Sequence, residues 1–311
     1  MEEISMKMPN IENDFSRIIQ RIKDISVKFE ATDMIPDTVC FGSLQFNEKR
    51  PSLPGLKTVN FHTGKIKVLF KIDIRGQFIS GIFFNDDIII TDYTKNRIVH
   101  HNNTGKHTEA LSIPNSPTDI TKVNDQTVAV SSVVRKIFII KLEPLTLVKT
   151  FDIGVPVWGL SLEDDQYITA HNNTIYWLNA DTCAKIKELP TGTDTRSVTC
   201  CNKNKYIYMN NINSIKLEST DGNGFQYYTN RLSYPFNQEI DEEGNIYVVG
   251  YGSNNIHQLT PTGQLIRIFH ISDIDKTITM YPWVMRFKRN TNRFLLTFHL
   301  SKGPVLVCEI E

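Results

Sequence analysis

The chain has 311 residues, of which 34 are basic and 34 are acidic, so its net charge at neutral pH is zero. Because neither sign of charge dominates, the composition selects neither a nucleic-acid-binding class nor an acidic solvating tail. The five cysteines are odd in number and include no Cys-x-x-Cys pair, a pattern that fits neither a disulfide framework nor a zinc site. We therefore expect free thiols in a reducing compartment.

Targeting segments are not evident in the sequence. No apolar stretch approaches the roughly 18 residues of a membrane span, and the amino terminus carries Glu2 and Glu3 where a secretory signal carries basic residues. The sequence thus predicts a soluble protein of the cytoplasm, with no contact to membranes.

The first predicted element is an amphipathic helix within residues 1–35. Pro9 lacks the amide proton that a helix interior needs, so the predicted helix runs from Asn10 to Phe29. Its apolar residues alternate in steps of four and three, which predicts a coiled-coil seam and a homodimer. The seam residues are Ile11, Phe15, Ile18, Ile22, Ile25 and Phe29. The alternative is a helix packed on the flank of the chain's own folded domain.

Residues 36–56 have no regular hydrophobic period and are predicted to form a linker, which Pro51 and Pro54 stiffen. From residue 57 to residue 311 a unit of strands repeats about every 40 residues. A β-branched residue opens the third strand of each unit, at Ile98, Ile137, Ile175, Ile215, Ile256 and Val305. A period of this length built from strands is typical of an all-β propeller, here with six blades.

The last unit ends at Glu311, directly after its third strand. A segment before the first unit, residues 63–72, matches the turn and outer strand that begin at Thr262-Gly263 in the fifth unit, and its predicted strand covers residues 65–72. We expect this segment to pair with the last blade and close the ring, because closure removes the exposed edges of an open array.

The fifth unit carries a family resemblance. It has a proline before the inner strand (Tyr234-Pro235-Phe236), an acidic residue and a glycine in the first turn (Asp241, Gly244) and an Ile-Tyr-Val second strand from Ile246. It is similar to the NHL repeat. A heptad helix, a linker and an NHL-like propeller together resemble the carboxy-terminal portion of tripartite-motif proteins.

The RING finger and B-boxes of that family need Cys/His clusters, which this sequence does not have. The resemblance therefore implies the dimerising and substrate-recognising part of a ubiquitin-ligase system without its ligase part. A truncated gene product is an equally good interpretation.

Catalytic and cofactor motifs are not found. The eight histidines show no His-x-x-x-His spacing, and no nucleophile elbow, phosphate loop or dinucleotide fingerprint occurs. The inner strands carry two acidic residues, Asp119 and Glu239, for which we expect structural hydrogen bonds to neighbouring strand ends. The sequence thus predicts no catalytic residue, no metal site, no cofactor and no enzyme activity.

In a propeller, the connections that lead into inner strands and those that join second to third strands emerge on one face, here called the loop face. Aromatic residues and arginines dominate protein interfaces and also stack single-stranded bases, so we predict partner binding there. The predicted residues are Arg97, Arg135, Trp158, Arg196, Phe236, Tyr251, Tyr281 and Trp283. Packing at blade junctions is the alternative for Trp158, Phe236 and Trp283.

Three functions follow from these observations. The first is a recognition module that binds a protein partner, by resemblance in a ubiquitin-ligase pathway. The second is an RNA-binding regulator that uses the same face. The third is a metal-dependent six-bladed hydrolase or lyase, which needs a metal ion in the central channel.

Overall fold

The computed structural model describes residues 60–73, 76–192, 195–202, 204–219, 222–299 and 303–311, together with the pairs 28–29 and 44–45. The chain divides into two units, Met1–Thr58 and Val59–Glu311. In the first unit, the two-residue strand Lys28–Phe29 pairs antiparallel with Leu44–Gln45.

That strand corrects the carboxyl end of the predicted helix. Phe29 is extended and paired across strands, an arrangement that aromatic side chains favour, so the helix does not reach it. The other seam residues lie outside the described part of the chain, and the coiled coil stays a prediction.

The second unit is a six-bladed β-propeller, as predicted, built from six four-stranded antiparallel sheets. The inner strands of blades 1 to 6 are Phe78–Phe84, Pro117–Lys122, Gly159–Glu163, Val198–Asn202, Pro235–Ile240 and Tyr281–Phe287. The second strands are Asp87–Asp92, Thr127–Ser132, Gln166–His171, Lys205–Asn211, Ile246–Gly250 and Arg293–His299. The third strands are Arg97–His101, Lys136–Leu142, Thr174–Asn179, Ser214–Ser219, Asn255–Leu259 and Val305–Ile310. The outer strands are His107–Ser112, Leu145–Asp152, Lys185–Pro190, Phe225–Tyr228, Leu265–His270 and Ile66–Ile72.

The burial of the strands follows their position in each blade. The second strand of blade 5 is buried at every position, whereas the outer strand of blade 1 is exposed at nearly every position. Blades pack face to face, and one core cluster joins Ile89 and Ile98 of blade 1 to Ile120 and Val130 of blade 2. Because both faces of a blade are covered, most residues of its second strands are buried on either side, as in Asp87–Asp92 and Arg293–His299.

The ring closes through the strand that precedes blade 1. Ile66–Ile72 pairs antiparallel with Val305–Ile310 of blade 6, which confirms the predicted closure. The guanidinium of Arg267 in blade 5 donates to the carbonyl oxygens of Gly64 and Phe61, at 2.5 and 2.8 Å. These contacts fix the chain that enters the closing strand.

Among the described residues, one short helix, Ile271–Ile274, follows the outer strand of blade 5. No helix in the same part of the chain is long and apolar enough to cross a membrane. The four cysteines described, Cys183, Cys200, Cys201 and Cys308, are free thiols, as predicted for them.

Candidate binding cleft on the loop face

The loop face of blades 4 to 6 contains a cleft of about 550 Å³. It lies where the connection before blade 4, the turn between the second and third strands of blades 4 and 5, and the starts of the inner strands of blades 5 and 6 come together. We name it the aromatic cleft, and its lining residues are Arg196, Met209, Asn211, Ile212, Tyr234, Phe236, Tyr251, Trp283 and His299.

Stacked rings form one wall of the aromatic cleft. Phe236 stacks on Trp283 with ring centroids 3.6 Å apart, and His299 lies against Trp283 at 4.5 Å. Tyr251 meets Trp283 edge to face at 5.2 Å. Trp283 is buried and also packs with Ile79 and Val284 at the junction of blades 6 and 1. This wall is therefore anchored in the core.

The rim of the aromatic cleft is apolar and exposed. Ile212 and Tyr234 keep 45% and 51% of their surface, and Tyr281, whose ring lies 5.3 Å from that of Tyr251, keeps 43%. Most large apolar side chains of the propeller are buried, so three exposed ones around one cleft mark a surface that can be covered by a partner.

Polar groups in the aromatic cleft are few. Within the described part of the chain, the buried atoms Trp283 Nε1 and His299 Nδ1 have no hydrogen-bond partner. Burial lowers the pKa of His299, so its imidazole is neutral at pH 7. Arg196 is exposed, and its guanidinium carbon lies 5.7 Å from the ring centroid of Trp158. Among the described lining residues, it is the one that carries a charge at neutral pH.

Tyr234 has a strained backbone. Its φ of 48° lies in the left-handed region, which costs a residue with a Cβ atom about 1–2 kcal/mol. The amide of Tyr234 donates to the carbonyl of Ile212 at 2.7 Å, and its own carbonyl accepts from the amide of Tyr251 at 3.0 Å. These bonds to the turns of blades 4 and 5 hold the strained residue at the rim. Strain of this kind collects at functional sites.

The structure brings together part of the predicted loop-face set. Arg196, Phe236, Tyr251 and Trp283 line the aromatic cleft, and Tyr281 adjoins it through Tyr251. Trp158 is half-buried beside Arg196.

Two arginines of the predicted set do not line the aromatic cleft. Arg97 Nε donates to the buried carboxylate of Asp92 at 2.9 Å, an intrablade ion pair that uses its charge. Arg135 lies in the turn between the second and third strands of blade 2, where it is exposed.

Five lining residues are outside the predicted set: Met209, Asn211, Ile212, Tyr234 and His299. Met209 follows the ordinary strand pattern of blade 4, so its sequence carries no functional signal. Ile212 does carry one, because it is an apolar residue in the otherwise polar turn Asn210-Asn211-Ile212-Asn213.

A separate ionic cluster lies on the inner strands, which line the central channel. It consists of Asp119 from blade 2, Glu239 from blade 5 and Arg286 from blade 6. Arg286 Nη2 lies 3.1 and 2.9 Å from the two carboxylate oxygens of Asp119, and Nη1 lies 3.3 Å from Glu239 Oε2. Asp119 also accepts from Ser80 Oγ at 2.5 Å and from the amide of Leu160 at 2.9 Å. The predicted structural hydrogen bonds of Asp119 are thus confirmed, and the sequence did not reveal Arg286.

Glu239 is the less compensated carboxylate of this cluster. Burial raises its pKa to about 7, against the opposing effect of Arg286. One guanidinium shared by two carboxylates leaves one excess negative charge. The hydrogen bond from Arg286 to Asp119 is the shorter one, at 2.9 Å against 3.3 Å to Glu239. Protonation of Glu239 removes that excess. Among the described residues, no three His, Cys, Asp or Glu side chains are arranged to hold a metal ion.

Comparison with known proteins shows the fold and no family. No protein-family model matches the chain, and no curated protein matches it. A catalytically inactive variant of virginiamycin B lyase from Staphylococcus aureus, solved with quinupristin, is similar in structure, with a TM-score of 0.59 and 15% sequence identity. The match covers 79% of this chain and 100% of the lyase chain. Because 1540 chains of solved structures match, the propeller itself selects no function.

Proposed function

We propose that this protein is a non-enzymatic recognition module that binds a protein partner through the aromatic cleft. The observation that carries the proposal is the rim of exposed apolar side chains, Ile212, Tyr234 and Tyr281, around a wall of stacked rings. Aromatic residues and arginine in a well-packed pocket account for most of the binding energy in protein interfaces.

RNA binding is the second candidate, because Arg196 lies against the ring of Trp158 on the same face. An RNA-binding groove needs several cations in a row to follow the phosphates. A continuous basic patch over Arg97, Arg135 and Arg196 would favour RNA. Arg97 is paired with Asp92, and Arg196 lies among aromatic residues. A loop face that mixes aromatic residues with arginines in this way favours a protein partner.

A lyase or hydrolase is the third candidate, favoured by the similarity to virginiamycin B lyase. Against it, the guanidinium of Arg286 pairs with the carboxylates of both Asp119 and Glu239. A metal ion in the channel would need these two carboxylates as ligands. Elemental analysis of the purified protein tests this candidate. Calcium or zinc bound in equal molar amount would support it.

Two further proposals come from the resemblance to tripartite-motif proteins. The partner would be a substrate or subunit of a ubiquitin-ligase system, and the amino-terminal helix would hold two chains together. Dimerisation would raise avidity by presenting two clefts. Light scattering of the whole chain and of an Ile18→Asp/Ile22→Asp variant tests the dimer, since two aspartates in an apolar seam would leave a monomer.

The test of the main proposal uses a photo-crosslinking amino acid at Ile212, on the rim of the aromatic cleft. The same group at Tyr228, an exposed residue of the outer strand of blade 4, is the control. Crosslinked proteins recovered from cell extract, with and without nuclease, are identified, purified and titrated against the protein. A partner that crosslinks only from position 212 and is insensitive to nuclease supports the proposal. Nuclease-sensitive recovery favours RNA, and equal crosslinking from both positions contradicts a cleft-bound partner.

A further inference from the structure

The geometry points to a specific ligand chemistry for the aromatic cleft: a proline-rich peptide segment in the extended polyproline II conformation. This inference rests on the proposed function and deepens it, because it names the chemistry of the partner segment. The proline rings lie against the exposed tyrosine rings of the rim. The carbonyl groups of the segment accept hydrogen bonds from the cleft.

The side chains of the aromatic cleft and its rim hold hydrogen-bond donors that the protein does not use. Among the described residues, the hydroxyl groups of Tyr234, Tyr251 and Tyr281 have no partner. The side-chain oxygen of Asn211 accepts from the backbone amide of the next residue at 2.6 Å, so its NH₂ group is the part left for a ligand. The buried N–H of Trp283 also lacks an acceptor in the described part of the chain.

Several acceptors of the aromatic cleft, in contrast, are already used. The carbonyl of Ile212 accepts from the amide of Tyr234 at 2.7 Å, and the carbonyl of Tyr234 accepts from the amide of Tyr251 at 3.0 Å. The carbonyl of Met209 accepts from a threonine hydroxyl at 2.9 Å. No aspartate or glutamate is among the described lining residues. The aromatic cleft therefore offers a ligand mainly donors.

A proline-rich segment has the complementary chemistry. Proline has no backbone N–H, and polyproline II forms no internal hydrogen bonds, so the carbonyl groups of such a segment remain as acceptors. Their partial negative charge matches the partial positive charge of the donors in the cleft. Because the segment is extended before it binds, it loses little conformational entropy on binding.

The rim supplies flat rings for the proline side chains. Tyr234 and Tyr281 keep 51% and 43% of their surface, and the ring of Tyr281 lies 5.3 Å from that of the half-buried Tyr251. Grooves lined by aromatic rings are the surfaces on which proline-rich segments dock.

Other peptide conformations fit the aromatic cleft less well. An α-helix uses its backbone carbonyl groups internally, so it would leave the donors of the cleft unpaired. A β-strand adds to an open strand edge, where free donors and acceptors alternate. The carbonyl groups of Ile212 and Tyr234 are already paired, so the rim does not provide such an edge.

Single-stranded nucleic acid also fits less well. Successive bases stack on free aromatic faces, while a row of cations follows the phosphates. Phe236 and His299 lie against Trp283 with interplanar angles of 28° and 34°, so the faces of the indole ring are engaged within the protein. The described lining contains one arginine and no lysine. A proline-rich segment requires no row of cations.

The experiment selects a phage-displayed library of random peptides on the purified full-length protein. Enriched peptides are synthesised, and their dissociation constants are measured by fluorescence anisotropy. We expect prolines about three positions apart, because polyproline II has three residues per turn. Replacing two of these prolines by alanine adds N–H groups and loosens the extended conformation, so binding should weaken about ten-fold or more. Enriched peptides without prolines, no enrichment, or equal binding after the replacement overturns the inference.

Two tyrosine variants test the contacts of the segment. Tyr251→Phe keeps the ring and removes one donor, so the proline-rich peptide should bind about three- to ten-fold more weakly. Tyr281→Leu keeps an apolar side chain without a flat ring and should weaken binding about three-fold or more. Tyr228→Phe is the matched control, since Tyr228 is exposed on the outer strand of blade 4 and does not line the aromatic cleft. Thermal unfolding verifies that the variants fold. Unchanged affinity in either cleft variant, or an equal loss in Tyr228→Phe, overturns the inference.

The remaining outcomes distinguish this inference from the proposed function. Crosslinking from Ile212 to a defined protein, together with enriched peptides that lack prolines, overturns the inference and leaves the proposed function standing. Crosslinking to nothing from Ile212 contradicts both. A polyuridylate oligonucleotide that displaces the peptide from the aromatic cleft overturns the inference in favour of RNA.

Discussion

The aromatic cleft and the ionic cluster of the channel share two inner strands, yet they differ in whether their polar groups have hydrogen-bond partners. In blade 6, Trp283 near the start of Tyr281–Phe287 lines the cleft, and Arg286 near its end joins the cluster. In blade 5, Phe236 and Glu239 divide Pro235–Ile240 in the same manner. In both strands, a step of three positions therefore separates a residue of the aromatic cleft from a residue of the ionic cluster.

The difference shows which of the two regions is available to a ligand. In the ionic cluster, Arg286, Ser80 and the amide of Leu160 supply Asp119 with hydrogen bonds from three other blades. In the aromatic cleft, two buried nitrogens have no partner among the described residues. Groups that satisfy one another stabilise the ring, whereas unpaired groups and exposed apolar rims are compatible with a site that a partner completes.

The largest expected effect comes from breaking the ionic cluster. Arg286→Ala leaves the buried carboxylate of Asp119 and the half-buried one of Glu239 without their cation, and we expect the free energy of unfolding at neutral pH to fall by about 3–5 kcal/mol. Urea unfolding followed by fluorescence measures it. Arg289→Ala is the control, because Arg289 is exposed just beyond the same strand. A loss below about 1 kcal/mol for Arg286→Ala would show that the cluster does not hold the ring together.

The fold was predictable from sequence because a propeller repeats its signal. The β-branched residue at the first or second position of each third strand gives the blade number, and the duplicated outer strand before blade 1 gives the closure. Both depend on local pattern, which survives the loss of any single residue. At Phe29 the same reasoning failed, because a heptad spacing describes side-chain periodicity and contains no information on cross-strand pairing.

The aromatic cleft was predictable only in part. The propeller topology places the starts of the inner strands and the turns between second and third strands on one face. Phe236, Tyr251 and Trp283 could therefore be grouped from sequence. Which blades contribute could not, since the depth of a cleft depends on side-chain packing between blades. Arg286 was hidden for a related reason: a charged residue among the apolar neighbours Val284, Met285 and Phe287 signals a buried partner but does not identify it.

A smaller effect distinguishes the two carboxylates of the ionic cluster. The pKa of Glu239 rises from its ordinary 4.5 to about 7 through burial, so the folded state keeps a proton that the unfolded state releases between these values. Stability should therefore fall as pH rises from about 4.5 to 7, by about 2–3 kcal/mol at most, since its side chain keeps 19% of its surface.

Glu239→Gln isolates this effect from other titrations. Burial lowers the pKa of His101 and His257 to about 4, so their contribution to stability rises between pH 4 and 6.5 and opposes that of Glu239. The difference between the variant and the original protein cancels both. Unfolding in urea at several pH values should give similar stabilities near pH 4.5 and a more stable variant at pH 8. A constant difference across this range would contradict the raised pKa.

The smallest effect concerns the aromatic cleft and has the opposite sign. Tyr234→Asn replaces a strained, half-exposed tyrosine by a residue that tolerates the left-handed region, so we expect stability to rise by about 1 kcal/mol. Tyr228→Asn is the control on an outer strand, where asparagine is unfavourable and stability should fall slightly. Thermal unfolding compares the two, and partner titration should show loss of binding for Tyr234→Asn alone. If both variants lost stability equally, the left-handed backbone of Tyr234 would cost no free energy. The strain at Tyr234 would then not support a role of this residue in binding.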